Sequence, residues 1–446
     1  MQRIEQKKER RDLSFSTFKK GGVHPPERKE YSNKVALKSF PIPSELIVSM
    51  SQHLGAPAKV IKNVGDHVEK GELIGEASSF ISANVHSPVS GTIKEIRKVT
   101  LANSVVCDAC VIVPDEEQPE LYIKKIDYQD YSKDQLIEEI KAKGVVGLGG
   151  ATFPLHVKVA VPISKKVDAL IINGVECEPY LTADHRAMLE RYKEILEGIM
   201  ICRKIVNPAH TYIGIEANKL DAAKVLEDEI KLRNLPIEVK LLKMKYPQGD
   251  EKQLINAIIG REIPSGKLPL DVGAVVINVG TTFAVYEAIV YGKPLIERVV
   301  SVTGECIKNP CNLIVPIGTP IKDLIAYAGG FSSEPDKLIN GGPMMGFAFY
   351  DENTPVIKGT SGILAIKDEV DPKSTACLSC GRCVAACPIG LEPTRLYALI
   401  THRRYEEAMA NHLMDCKECG CCSFSCPAHL DLTQAMKLGK KMGRKK

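Results

Sequence analysis

At 446 residues, with 44% hydrophobic and 26% charged side chains, the chain has an ordinary globular composition and a length worth about three domains. Its net charge of +4 is small, and without a clustered basic face it gives no reason to expect a nucleic-acid partner. The longest uncharged run, Val272 to Tyr286, is too short to span a membrane, and the charged stretch Met1 to Lys20 lacks the apolar core of a secretory signal. The expectation is a cytoplasmic chain that reaches any membrane through a partner.

Residues 1–31 are polar, with Lys7, Lys8, Arg10, Arg11, Lys19 and Lys20, and read as a loosely held arm. Such runs are usually solvated faces; the sharper reading is docking on another subunit or an anionic surface. Residues 32–115 change to short β-type runs punctuated by turn residues, among them Ala58 to Ile61, Val64 to Val68, Gly71 to Gly75 and Val89 to Ile93, which argue an all-β module. Gly65-Asp66 and Ser87-Pro88-Val89-Ser90-Gly91 resemble the barrel-sandwich fold of lipoyl and biotinyl carriers. Phe80 stands where those carriers have their modified lysine, so the resemblance implies an unmodified docking or covering domain. Cys107 and Cys110 form a lone C-x2-C, open between buried structural thiols and a metal or redox pair.

Residues 116–297, whose pattern begins at about Glu120, read as α/β. Leu136, Ile137 and Ile140 share one face of a helix over Lys133 to Lys143, which Gly144 can end. A glycine-rich loop follows, Gly147-Leu-Gly149-Gly150-Ala-Thr152-Phe153-Pro154, with Lys158 shortly after. Glycines let a backbone approach a flat ring or phosphate closely, although ligand-free turns of this kind are common. Val167 to Ile172 is a buried-strand run ending in Asn173-Gly-Val175-Glu176-Cys-Glu178-Pro-Tyr180, and Ala274 to Ile277 is another ending in Asn278-Val-Gly-Thr281-Thr282. Polar groups at strand carboxyl ends are where open α/β sheets bind ligands; Glu176 and Glu178 can equally be solvated turn residues. A strand at Tyr212 to Glu216, a helix at Asp221 to Leu232 and a turn at Tyr246 to Glu251 complete the segment.

Together these motifs resemble the flavin-binding subunit of respiratory complex I and of NAD-linked hydrogenases. The resemblance implies that Gly147, Gly149, Gly150 and Lys158 belong to the loop that cradles FMN and stacks NADH over it, with Thr152 replacing the family's last glycine. It further implies that Asn173 and Glu176 hold the flavin and Glu178 the nicotinamide region. Tyr246, Gly249, Asp250 and Glu251 fall on the family's Y-x-x-G-E-E stretch, and Asn278 and Thr281 near its V-N-N-V-E-T stretch. Val175 stands where that family has an acid.

Residues 298–365 contain Val300 to Gly304, Ile317 to Leu324 and Gly341 to Gly346, and resemble the β-grasp module called SLBB; Met344 and Met345 read as packing residues. Residues 366–436 carry two runs of C-x2-C-x2-C-x3-C-P, Cys377 to Pro388 and Cys416 to Pro427, separated by helices between Leu391 and Met414. In such runs three thiolates wrap one cubane and the fourth reaches the other. One [4Fe–4S] cluster is therefore assigned to Cys377, Cys380, Cys383 and Cys426, and a second to Cys416, Cys419, Cys422 and Cys387. Structural zinc, the competing reading, takes four ligands usually as two C-x2-C pairs, and disulfides do not suit crowded thiols without a secretory signal. Cys421 falls outside both patterns, and residues 437–446 read as a disordered basic tail.

The expected fold class is thus multidomain α/β + β: a barrel-sandwich, a Rossmann-like flavin/NADH domain, an SLBB β-grasp and a helical two-cluster ferredoxin-like domain. The whole order, together with Phe18 to Pro25 and Gln52 to Pro57, resembles the RnfC family, the C subunits of Rnf complexes, which are membrane-bound ferredoxin:NAD oxidoreductases that couple electron transfer to Na+ or H+ movement. That resemblance implies exchange of electrons between NAD(H), FMN and two clusters at the cytoplasmic face of the membrane. It also implies the complex's other subunits as partners, including its ferredoxin-like and flavin-bearing ones. The rival readings are a soluble NADH-dependent corrinoid reductase, against which the leading barrel argues, and a non-enzymatic iron–sulfur relay or scaffold without a working flavin site.

Overall fold

The computed structural model describes residues 14–119, 126–367 and 373–444. Lys7, Lys8, Arg10, Arg11, Glu120, Lys445 and Lys446 lie outside the described residues.

The all-β expectation is met by two small antiparallel sheets. Leu46–Ser49, Val106–Pro114, Gly91–Thr100 and His67–Val68 form one, and Lys59–Val60, Leu73–Glu76 and Val85–His86 the other. Between them lie Leu46, Val48, Ile74, Val85, Ile93 and Ile112, the inward halves of alternating strands. Phe80 lies in the loop between Leu73–Glu76 and Val85–His86, with 78% of its surface exposed. Cys107 and Cys110 are three apart on one strand and therefore point to opposite faces, Cys107 beside Ile47 and Val99, Cys110 in the sandwich core. That alternation removes a shared metal or redox role from the pair.

The middle of the chain forms a four-stranded, all-parallel sheet in the order Glu238–Leu242, His210–Glu216, Ala169–Asn173, Ala274–Asn278. The chain winds outward from Ala169–Asn173 in one direction, then returns to lay Ala274–Asn278 on its other side. That reversal is the switch point of the sheet, where ligands bind beyond the strand ends. The register pairs Asn173 with Asn278 there, so the last residues of the two strands stand side by side. The helix Val279–Val290 is buried almost all round and crosses the helix Tyr192–Val206, where a Cβ on Gly198 would lie 1.9 Å from the Thr282 carbonyl oxygen. Only glycine permits that approach.

A six-stranded mixed sheet follows, in the order Leu37–Ser39, Cys311–Pro316, Glu297–Thr303, Gly362–Ile366, Lys337–Asn340, Phe347–Phe349, with the helix Ile321–Tyr327 packed on it. Its first member corrects an expected boundary. The sequence pattern puts Leu37–Ser39 in the barrel at 32–115, but it pairs in parallel with Asn312 to Ile314, an edge strand lent across the chain.

The last described segment is helical: Arg382–Ala386, Pro393–Thr401, Tyr405–Ala410, Cys421–Phe424 and Leu432–Gly443, around Leu396, Ile400, Leu413 and Met436. Two expectations of disorder fail against packing. The basic stretch after Lys437 continues a helix to Gly443, because Gly439 sits where a Cβ would be 2.6 Å from Ile400 Cδ1, and Lys440 bonds the Cys416 carbonyl (2.6 Å) and Glu418 (2.7 Å). Likewise the described part of the N-terminal arm is held, not loose. Ser16 bridges Leu242, Val23 bridges Tyr246, Phe18 is 1% exposed, and the Gly22 amide donates to the Ala386 carbonyl at 2.9 Å. Apolar Phe18 and Val23 supply the burial that a count of its charges overlooks. Among the described residues no helix is long and apolar enough to cross a membrane.

Candidate functional site

The glycine-rich loop closes on itself through the Gly147 amide and Phe153 carbonyl (2.9 Å) and lies over the switch point. Its Leu148 amide donates to Thr281 Oγ1 (2.8 Å), and an added Cβ on Gly149 would come within 3.3 Å of Asn278 Cβ. Gly150, at φ 102°, has open space where a Cβ would stand. A cradle with no side chain in it, floored by strand ends, fits a flat ring. Thr152 takes φ 48° and its carbonyl accepts from the Leu54 amide (3.1 Å), so the barrel abuts this loop.

Asn278 caps Val279–Val290 through the Gly280 amide (2.8 Å) and turns its own amide to Asp184 (2.7 Å). Asn173 reaches the Gly249 carbonyl (2.9 Å), tying the strand end to the turn that carries Tyr246. Asp250 caps the helix Glu251–Ile259, and Glu251 pairs with Lys158 at 2.6 Å. Glu176 is not a solvated turn residue: at φ 45° its carboxylate accepts from the Asp184 (2.7 Å) and His185 (3.2 Å) amides at the start of Ala183–Glu190. Glu178 faces the other way, accepting from the Met344 amide (3.0 Å) and lying 3.4 Å from the Tyr246 hydroxyl. Burial lifts its carboxyl to about 7, and burial together with Glu176 lifts Asp184 to about 6. Val175, in the place of the expected acid, is fully buried in apolar surroundings with Ile171 and Leu254.

The named residues thus fall into two linked groups. Gly147, Gly149, Gly150, Asn173, Glu176, Asn278 and Thr281 surround the cradle, while Glu178, Tyr246 and Met344 form a bridge toward the cysteine runs. On that bridge Tyr246 packs with Cys177, Cys419 and Cys421, and a Cβ on Gly420 would lie 2.9 Å from the Met344 carbonyl.

The two cysteine runs fold alike. Ser379, Gly381 and Gly390 take left-handed φ at the same spacing as Glu418, Gly420 and His429, and the Ser379 and Glu418 amides each lie 3.4 Å from the first thiol of their run. Cys387, Cys416, Cys419 and Cys422 line one pocket with Cys421, Pro388, Leu396 and Met436. Burial raises the Cys416 thiol to about 12, which favours its protonated form. Of the other set, Cys377 and Cys380 are exposed, while Cys383 and Cys426 pack in one cluster with Ala428 and Leu432. Among the described residues no three His, Cys, Asp or Glu side chains are close enough to share a single metal ion.

Four participants escaped the sequence reading: Asp184, Lys29, Lys219 and Arg298. Asp184 opens a helix and Arg298 interrupts the apolar strand Glu297–Thr303, signals that were available; two lysines whose burial depends on distant segments gave none.

Three family models match successive stretches of the chain. Residues 16–117 match the family model described as the RnfC barrel sandwich hybrid domain, 140–287 the Nuo51 FMN-binding domain, and 299–348 the SLBB domain. The chain is 44% identical over 393 residues to the C subunit of the proton-translocating ferredoxin:NAD(+) oxidoreductase complex of Clostridium ljungdahlii, covering 87% of this chain and 86% of that one. It is 42% identical over 408 residues to the Na(+)-translocating counterpart of Acetobacterium woodii, covering 91% and 92%. The C subunit of the ion-translocating oxidoreductase complex of Rhodobacter capsulatus is 39% identical over 432 residues, covering 96% and 83%.

Proposed function

Because this chain belongs to the RnfC family, the C subunits of ion-translocating ferredoxin:NAD(+) oxidoreductase complexes, we propose that it is the part through which such a complex exchanges electrons with NAD(H). The observation that carries the reading is the side-chain-free glycine cradle over the switch point, joined by Glu178, Tyr246 and Met344 to a pocket lined by five cysteines, Cys421 among them. The donor sets fit their groups. Gly147, Gly149, Gly150, Asn173, Asn278 and Thr281 would hold FMN, with Glu176 shaping the wall behind it. Cys416, Cys419, Cys422 and Cys387 would hold one [4Fe–4S] cluster and Cys377, Cys380, Cys383 and Cys426 the other, in a ferredoxin-like domain over 366–436.

Flavin accepts a hydride's electron pair and passes electrons on singly, the conversion that joins NADH to clusters. The chain's own residues supply placement. The bare glycines permit face-to-face approach, Glu178 and Tyr246 line the nicotinamide end, and Lys158 with Glu251 borders the loop. The pocket with Cys387 and Cys416 abuts the flavin domain, so it is the nearer relay, and the exposed pair Cys377 and Cys380 faces outward, toward other subunits of the complex at the cytoplasmic face of the membrane. The barrel, with Phe80 in place of a modified lysine, serves as a covering and docking domain.

The test is anaerobic reconstitution of the full chain with FMN, iron and sulfide, followed by NADH. About one FMN and about eight irons, with flavin bleaching on NADH addition, are expected from one cradle and two cubane motifs. A full iron complement with no flavin and no response to NADH sinks the NADH site and leaves a relay.

A further inference from the structure

The two loops that carry the flavin residues are held by their carbonyl oxygens, and the donors are buried cations. Lys29, 6% exposed, donates to the Glu176 and Glu178 carbonyls, both at 2.9 Å, and to that of Leu181. Fully buried Lys219 adds a bond to the Val175 carbonyl at 2.7 Å. On the other side, Arg298, also 6% exposed, joins the Leu148 carbonyl to that of Thr360, each at 2.8 Å, and its Nη1 is buried without a partner.

Three carbonyls around one nitrogen specify an ammonium, since a neutral amine has two N–H bonds and a lone pair that would face an oxygen. Arg298, lowered by burial only to about 10, is charged at pH 7. Neither cation has a carboxylate in hydrogen-bond contact; burial and the neighbouring Lys219 lower the Lys29 ammonium, as burial lowers Arg298, while Glu176 and Glu216 on Lys29, and Asp184 on Arg298, favour the charged forms through space. Both come from outside the parallel-sheet domain, Lys29 from the N-terminal arm and Arg298 from the β-grasp sheet.

We infer that Lys29 and Arg298 are positioning residues of the flavin site: they aim its two loops from behind and set a fixed positive charge there that favours reduced flavin. The inference rests on the flavin reading above. NADH gives up a hydride, two electrons and one proton, and leaves as NAD+. The acceptor therefore gains one negative charge before any second proton arrives, and preorganised cations lower the cost of that charge without moving.

The test uses the full chain, reconstituted anaerobically, with Lys29→Met, Lys29→Arg, Arg298→Met and Arg298→Lys. Iron content, flavin dissociation and the flavin midpoint potential are read separately. The Met variants are expected to keep their iron, to release FMN about tenfold more readily, and to show a lower midpoint potential in the flavin they retain. The Arg and Lys variants restore the potential even where affinity stays reduced. A wild-type midpoint potential in either Met variant overturns the inference. Where a Met variant holds no flavin, the charge-keeping variant decides: weakened flavin at wild-type potential supports the inference, and unchanged affinity overturns it. Wild-type protein that binds no flavin refutes the function reading itself, an outcome distinct from any of these.

Discussion

At the scale of single residues, Glu178 is the most exacting position. Its carboxyl is buried and titrates near 7 in the folded chain against an ordinary value of 4.5, so ionisation is penalised in the native state. The native state holds the proton more tightly than the unfolded one, and stability is lost as pH rises from about 4.5 to about 7. Glu178→Gln, which keeps an acceptor for the Met344 amide, should therefore gain on wild type, on the order of 2 kcal/mol, at pH 8 but not at pH 4.5. Melting curves of the flavin-free proteins at the two pH values check this; an equal difference at both rejects it. Residue identities here were legible because Asn173, Glu176 and Asn278 end apolar strand runs. Their partners were not, since Glu176 turns out to cap a helix through two amides that no spacing rule joins to it.

Elements bring a second kind of evidence, at the seam where barrel, flavin domain and β-grasp meet. Lys358, 1% exposed, donates to the Asn84 and Gly144 carbonyls at 2.7 Å each, and burial lowers its ammonium to about 7. His53 and His86, held neutral by burial and by Lys358, fall to about 4 and about 3. All three bind protons less readily when folded, so their linkage has one sign. Stability rises with pH as the histidines cross from about 4 to 6.5 and as Lys358 crosses from about 7 to 10.5. Wild-type melting temperature is expected to climb from pH 7 to pH 9 relative to Lys358→Met, which lacks the upper slope; parallel curves exclude the assignment. The same variant leaves two carbonyls without a donor, a loss of about 1–3 kcal/mol for each. Periodicity identified the strands and helices on either side of this seam. It missed that Leu37–Ser39 joins a sheet formed from Cys311–Pro316, because parallel pairing over so long an interval leaves no local pattern.

For the whole molecule, the two cysteine sets differ in shelter. Cys377 and Cys380 are exposed, whereas in the other set Cys419 is buried and Cys387, Cys416 and Cys422 are half-buried. Iron extraction by a chelator should run in two phases of similar size, the first from the cluster at Cys377 and Cys380. Electron paramagnetic resonance of the partly depleted protein should retain the signal that Cys416→Ser removes; a single phase contradicts the unequal shelter. The run spacing marked the two cysteine sets, and the motif order made the barrel, flavin and β-grasp domains legible. Which cluster abuts the flavin domain was not, because it depends on Tyr246 and Met344, from two other modules, meeting Gly420 and Cys421.

The N-terminal arm carries a consequence in time. A Cβ on Gly21 would lie 2.4 Å from the Cys387 carbonyl, and the Gly22 amide bonds the Ala386 carbonyl. The arm precedes every partner it binds: its resting place is built from Leu242, Tyr246 and Ala386, more than 200 residues further along the chain. At roughly 5–20 residues per second, Phe18 and Lys29 wait in water for tens of seconds with nothing to close on. The arm thus closes in two steps, first on the segment from Glu176 to Tyr246 and last on Ala386.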